Sequence, residues 1–246
     1  NSMGVFRFKQ FSVDDSRSAM KIGTDGVLLG AWADCGGAAT VVDVGTGTGL
    51  IALMMAQRYA DVRVLAIDVD NAACEDARAN VAASPWAARV TVIEGDVLGW
   101  IPDDSAGRPL CIVSNPPFFT EALRSPDAAR ALARHGCGLG VESLIEWASG
   151  AMTGSDDSLS FIAPAVRDDE LHFQLSLRRL AAVRITDVVS REGRPPVRRL
   201  YEIRREDAVT CPCLHDTLVI RDRDGKYTPR YVGLTENFYL DTTFNK

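Results

Sequence analysis

Val41-Val42-Asp43-Val44-Gly45-Thr46-Gly47-Thr48-Gly49 is an apolar strand running into a glycine-rich turn, and a helical apolar pattern opens directly after it. Such a turn serves close approach. Glycine lets the backbone come within contact distance of a ligand and adopt positive φ where a Cβ would clash. The carboxyl end of a strand is also where doubly wound sheets bind their ligands. The dinucleotide fingerprint is GxGxxG/A, but here the position that needs the third small residue is Leu50. The spacing is instead GxGxG, with Asp43 just before it on the strand.

Outward from this turn, strand and helix patterns alternate. Strands read at 41–44, 62–67, 89–93, 110–114 and 158–163, and helices at about 49–59, 70–82, 141–152 and 167–179. Runs such as Val64-Leu65-Ala66-Ile67 lack in/out alternation, as expected for parallel strands covered by helices on both faces. Residues 181–189, 199–206 and 217–221 are β-like and joined by turn-rich segments, which predicts late antiparallel strands added to a doubly wound, mostly parallel α/β sheet. Before the glycine turn, residues 5–13 predict one or two short strands. Thr24 or Asp25 is placed to cap a short helix whose apolar face is Val27, Leu28, Ala31 and Trp32. The expected organisation is a prelude over residues 3–39 and a main domain over 40–246, forming one compact unit; Asn1-Ser2 ahead of Met3 reads as a cloning remnant and is set aside.

With 246 residues, 46% of them hydrophobic and 24% charged, the chain can fill the core of one large domain. No apolar run approaches the ~20 residues of a membrane span, and no basic-then-apolar leader opens the chain, so a cytoplasmic enzyme is expected. The six cysteines are scattered. Only Cys211-Pro212-Cys213 is close-spaced, which is a poor zinc signal, so no metal and reduced thiols are expected. A net charge of −6 argues against indiscriminate nucleic-acid binding. Even so, Arg191, Arg194, Arg198, Arg199, Arg204 and Arg205 crowd one stretch. They read equally as a phosphate-recognising surface or as the solvated outer face of a hairpin.

The GxGxG turn with Asp43 resembles motif I of the class I methyltransferases, which hold S-adenosylmethionine, and the resemblance implies their Rossmann-like fold. It makes Asp43, Gly45, Gly47 and Gly49 cofactor-binding residues. Asp68, ending the second strand about twenty residues after the turn, is placed to accept both ribose hydroxyls, with Asp70 as second choice. Asp96 and Val97, ending the third strand, stand where family members contact the cofactor's adenine. The alternative is that Asp68 and Asp96 only cap the helices that follow.

After the fourth strand, Ser114-Asn115-Pro116-Pro117-Phe118-Phe119 resembles the N/D-P-P-Y/F motif of methyltransferases acting on planar sp² amines. The chemistry accounts for the residue types. An exocyclic amine has its lone pair delocalised into the ring and is a poor nucleophile. Asn115 Oδ1 and the Pro116 carbonyl can each accept one N–H, turning the lone pair toward the methyl donor, while the prolines hold those acceptors convergent. Phe118 offers a face on which an extruded base can stack. Asn115, Pro116 and Phe118 are therefore the expected catalytic residues, with Asn115 also beside the cofactor.

The amine is narrowed by a longer resemblance. Phe8-Lys9-Gln10-Phe11, the string from Met20 through Lys21, Thr24 and Gly26 to Trp32, and the segment from Tyr227 to Leu240 are similar to the bacterial tRNA1(Val) adenine-37 N6-methyltransferase family over nearly the whole chain. The resemblance implies methylation of adenine 37 in a valine tRNA, with no obligatory protein partner evident. It also implies a prelude packed over the cofactor, so that Lys21 and Thr24 join the cofactor set. Phe118, Phe119, Arg124 and Arg134 would meet the substrate; Arg130 and His135 lie in the same stretch. Phe118 departs from the family's more frequent Tyr. Two other readings stay open: a methyltransferase of ribosomal guanine N2 or of a protein glutamine, since both use a similar tetrapeptide, and a non-catalytic cofactor- and RNA-binding protein.

Overall fold

The computed structural model describes residues 4–17, 22–102, 107–117 and 140–244. Among the described residues there are ten strands: β1 (Val5–Arg7), β2 (Ser12–Asp14), β3 (Thr40–Val44), β4 (Arg63–Asp68), β5 (Val90–Glu94), β6 (Leu110–Ser114), β7 (Ser158–Pro164), β8 (Leu180–Arg191), β9 (Arg198–Arg205) and β10 (Leu214–Arg221). The α-helices among these residues are α1 (Thr24–Trp32), α2 (Leu50–Arg58), α3 (Asn71–Ala82), α4 (Val141–Ala151), α5 (Asp168–Leu177) and α6 (Pro229–Thr235).

Eight strands form one sheet in the order β10-β8-β9-β7-β6-β3-β4-β5. The chain winds from β3 outward through β4 to β5, then returns to lay β6 on the other flank of β3 and β7 beyond it. The strand order thus reverses between β3 and β6, the place where open α/β sheets form a ligand crevice. The core explains why these strands do not alternate polar and apolar. Val41, Val64, Ala66, Cys111 and Val113 face one apolar cluster with α1 and α2, while Val42, Val44, Leu65, Ile67, Leu110 and Ile112 face another with α4. A central strand buried on both faces has no polar side to show.

The late strands differ from expectation. Only β9 runs antiparallel, to β7 and β8; β10 pairs parallel with β8. Strand β9 carries the chain back to the end of the sheet where β8 begins, since Arg205 pairs with Leu180 and Leu214 with Arg184, so the segment after β9 has only to pass the end of β8 for β10 to run parallel to it.

Cys35 and Cys111 are joined in a disulfide, their Cα atoms 5.6 Å apart. This corrects the expectation of reduced thiols throughout. That expectation weighed only the compartment, whereas the fold brings the segment after α1 against β6 and buries both sulfurs there.

The prelude is an antiparallel hairpin, β1 with β2, followed by α1. It is tied down in two ways. Asn80 of α3 spans from the hairpin to the glycine turn: its Nδ2 donates to the carbonyls of Asp14 and Thr48, each at 2.9 Å, and its Oδ1 accepts from Asp14 N at 2.8 Å. The C-terminal segment closes from the other side. Lys9 N donates to the Phe238 carbonyl at 2.8 Å, and Phe8 stacks with Phe11 and Tyr239.

Candidate active site

The glycine turn joins the carboxyl end of β3 to α2. Gly45, Gly47 and Gly49 all have positive φ, at 67°, 56° and 81°. A Cβ on Gly47 would point into open space, whereas one on Gly49 would meet Ala77 of α3 at 3.5 Å. Gly47 therefore leaves its surface free for a ligand, and Gly49 lets the turn approach α3.

Asp43 is fully buried at the base of the turn. Its Oδ2 accepts the Thr46 hydroxyl at 2.6 Å and the Ala52 amide at 3.0 Å, which fastens the turn to α2. Oδ1 is buried with no hydrogen-bond partner. Burial raises the carboxyl pKa to about 7, against the smaller lowering by these two hydrogen bonds.

Asp68 ends β4, where its Oδ2 accepts from Gly47 N at 2.8 Å and its Oδ1 from Asp70 N at 2.9 Å. It braces the turn from the neighbouring strand and does not cap α3; Asp70 does that, accepting from Ala72 N. A carboxylate offers about four lone-pair sites, more than these amides fill, so Asp68 keeps acceptor capacity for hydroxyl donors. Burial raises the Asp68 pKa, opposed by the amides of Asp70 and Gly47. Asp96 is exposed and accepts from Leu98 N at 2.9 Å, capping a single helical turn, and Val97 behind it is buried. The Asp68 carbonyl accepts from Gly95 N at 2.8 Å, which sets the ends of β4 and β5 side by side.

On the other flank of β3, Ser114 ends β6 with its hydroxyl donating to the Val44 carbonyl at 2.7 Å. This bond sets the start of Asn115-Pro116-Pro117 level with the glycine turn. A cavity of about 520 Å³ lies between them. Gly45 to Thr48, Leu50 and Ile51 form one wall, Asn115, Pro116 and Pro117 a second, and Ile22 to Gly26 of the prelude a third. Gly26 allows that closure, since a Cβ there would lie 3.3 Å from Leu50 Cδ2 and 3.9 Å from Asn115 Nδ2. The volume falls within the range of small-molecule sites. The cavity and the open face of Gly47 fit a nucleoside-sized cofactor lying from turn to tetrapeptide.

Several sequence expectations meet here: Gly45, Gly47, Asn115, Pro116 and Thr24 all line the cavity. Thr24 does so as the first residue of α1, whose N-cap is Gly23 without a side-chain bond; neither Thr24 nor Asp25 is the cap. Asp68, Asp96 and Val97 sit at adjacent strand ends beyond the cavity's lining. Lys21, Phe118, Phe119, Arg124, Arg130, Arg134 and His135 lie outside the described residues. Sequence reasoning missed Asp25, which lines the cavity and accepts from Arg198 Nε of β9 at 2.8 Å. The two are 173 positions apart, and no local pattern joins them.

Comparison with known proteins agrees with this architecture. Residues 16–139 match the family model described as methyltransferase small domain. The chain is 43% identical over 242 residues to the tRNA1(Val) (adenine(37)-N6)-methyltransferase of Porphyromonas gingivalis strain W83, covering 96% of this chain and 94% of that protein. It is 43% identical over 238 residues to the protein of the same description from Aeromonas hydrophila, covering 96% and 97%. Among solved structures, Agrobacterium tumefaciens Atu636, titled a predicted O-methyltransferase, superposes with a TM-score of 0.63 over 87% of this chain and 96% of that one. At 22% identity it bears on the fold alone. With a glycine turn and an Asn-Pro-Pro segment facing each other across the switch point of the sheet, and full-length identity at this level, the chain belongs to the tRNA1(Val) (adenine(37)-N6)-methyltransferase family.

Proposed function

We propose that the protein transfers a methyl group from S-adenosylmethionine to the N6 amine of adenine 37 in tRNA1(Val), acting in the cytoplasm. The observation that carries this reading is the placement of Asn115 and Pro116 in one cavity with Gly45 and Gly47. A methyl donor held by the turn and an amine held by the tetrapeptide would then meet within that cavity. The names of the relatives supply the RNA and the position in it.

The cofactor supplies an electrophilic methyl on a cationic sulfur. All else falls to the chain. Gly45, Gly47 and Gly49 shape the turn, and Asp68 holds it through the Gly47 amide while offering acceptor sites to ribose hydroxyls. Asp96 and Val97 flank the adenine end. Asn115 Oδ1 and the Pro116 carbonyl each accept an amine hydrogen, so that the nitrogen lone pair points at the methyl. The proton released by the product passes to solvent, and no general base is required. Catalysis is then mainly positioning. Phe118, in the stretch after Pro117, would stack the extruded adenine, while Phe119, Arg124 and Arg134 would meet the rest of the RNA.

The test is incubation with labelled S-adenosylmethionine and unmodified tRNA1(Val), then digestion and nucleoside chromatography. Label in N6-methyladenosine is expected. Label in N2-methylguanosine would keep the positioning mechanism and overturn the substrate. Absence of label in RNA, with label in a protein glutamine, would overturn the RNA reading.

A further inference from the structure

The arginines that crowd residues 191–205 form two sets once folded. Because β9 runs antiparallel to β7, Arg198 pairs with Pro164 at the carboxyl end of the sheet, while Arg205 pairs with Leu180 at the opposite end. Arg204 and Arg205 therefore point away from the cavity, and they lie beside Glu202 and Asp207. Arg199 is held between Asp168 and Asp187, a structural use that raises its pKa. The remaining three, Arg191, Arg194 and Arg198, lie in or beside the β8–β9 turn at the end of the sheet that carries the cavity.

That turn is fastened to the cavity rim, since Asp25, which accepts from Arg198 Nε at 2.8 Å, is itself part of the lining. Arg191 is exposed and donates to the neutral carbonyl of Arg223 at 2.6 Å. Arg194 is exposed, and no side-chain hydrogen bond or ion pair to it is found among the described residues. The parallel strand β10 ends beside Arg191, and its Arg221 lies over the Tyr227 ring. The carboxylates nearby are Glu192, paired with Arg223, and Asp222 and Asp224 in the following turn. A protein of net charge −6 thus keeps guanidinium groups that face neutral partners or solvent at the end of the sheet that carries its cavity.

We propose that the β8–β9 turn, through Arg191 and Arg194 with Arg198 anchoring it, is the docking site for the phosphodiester backbone of the RNA beside the target base. The inference rests on the RNA reading above and assigns it a surface. Arginine forks suit phosphate oxygens, and interactions of this kind set register and orientation without reading sequence. The bond from Arg198 to Asp25 ties the turn to the start of α1, which makes the distance from the bound backbone to the cavity a property of the fold.

The experiment compares three forms of the full chain with S-adenosylhomocysteine present: the natural sequence, Arg191→Ala/Arg194→Ala, and Arg179→Ala/Arg205→Ala at the opposite end of the sheet. Binding of unmodified tRNA1(Val) is followed by fluorescence anisotropy from ~50 to ~200 mM salt. The first pair is expected to weaken binding roughly tenfold and to lower the slope of log K against log salt by about two, one for each phosphate no longer neutralised. Affinity for S-adenosylhomocysteine and kcat at saturating RNA should stay at the natural values, with KM for RNA raised. The opposite-end pair should bind RNA as the natural sequence does. Arg194→Ala alone removes no bond within the described protein, so a weaker effect of the same sign there separates docking from folding. Unchanged affinity and slope in the first pair, with the natural protein binding RNA, would overturn the surface and leave the RNA reading standing. A natural protein that binds no RNA would overturn both.

Discussion

Asn115 and Asp43 sit at the ends of neighbouring strands, and their chemistry is opposite. Asn115 is half-buried on the cavity wall, a neutral acceptor whose value is its position. Asn115→Ala should leave cofactor affinity within a few-fold and lower kcat by orders of magnitude, measured by calorimetric titration and single-turnover methylation; normal turnover would sink the positioning mechanism. Asp43 is a fully buried acid whose folded pKa is about 7, raised by burial from 3.8. The sign follows from linkage. Between about pH 4 and 7 the unfolded chain has released this proton while the folded chain keeps it. The group's contribution to stability therefore falls as pH rises through that window and levels off above it. Asp43→Asn keeps an acceptor for Thr46 and Ala52 and puts its amide where Oδ1 has no partner. It should remove that fall, so urea midpoints at pH 5 and pH 8 should differ less in the variant than in the natural protein.

At the scale of elements, the site depends on joints between pieces that the chain makes far apart. Helix α3 contributes no residue to the cavity wall, yet its Asn80 holds both the prelude hairpin and the glycine turn. Asn80→Ala would leave three backbone groups without their partner, at a cost of about 2–3 kcal/mol. The same change should weaken cofactor binding, because Thr48 belongs to the turn. Urea denaturation gives the first effect and cofactor titration the second. Full stability in the variant would mean that water replaces the amide. Strand β9 has a comparable role. Its reversed direction, set by a hairpin with β8 and by pairing with β7, brings Arg198 to the cavity and sends Arg205 away.

The whole molecule closes by joining its two ends. The segment after α6 packs Phe238 and Tyr239 under the prelude, with Phe238 only 2% exposed. This packing gives a physical reason for the prelude and the stretch from Tyr227 to Leu240 carrying the family resemblance together, since each covers the other. Phe238→Ala should destabilise the protein by about 3–5 kcal/mol through reduced burial and the cavity left behind, read from urea unfolding. Because the prelude forms one wall of the cavity, cofactor affinity should fall with it, although Phe238 is absent from that wall.

The parallel core was legible from local pattern, because a strand buried on both faces must be apolar throughout and a turn that meets a ligand must be glycine; both are constraints on single segments. The tetrapeptide was legible for the same reason, its acceptors and prolines being adjacent in the chain. What the linear pattern could not decide were pairings between distant segments. The direction of β10, the Cys35–Cys111 bond across 76 positions, the Asp25–Arg198 pair and the division of the arginines between two ends of the sheet all follow from strand order and register. Side chains in the late strands read much alike whichever way those strands run, so only the packed sheet decides what each of them faces.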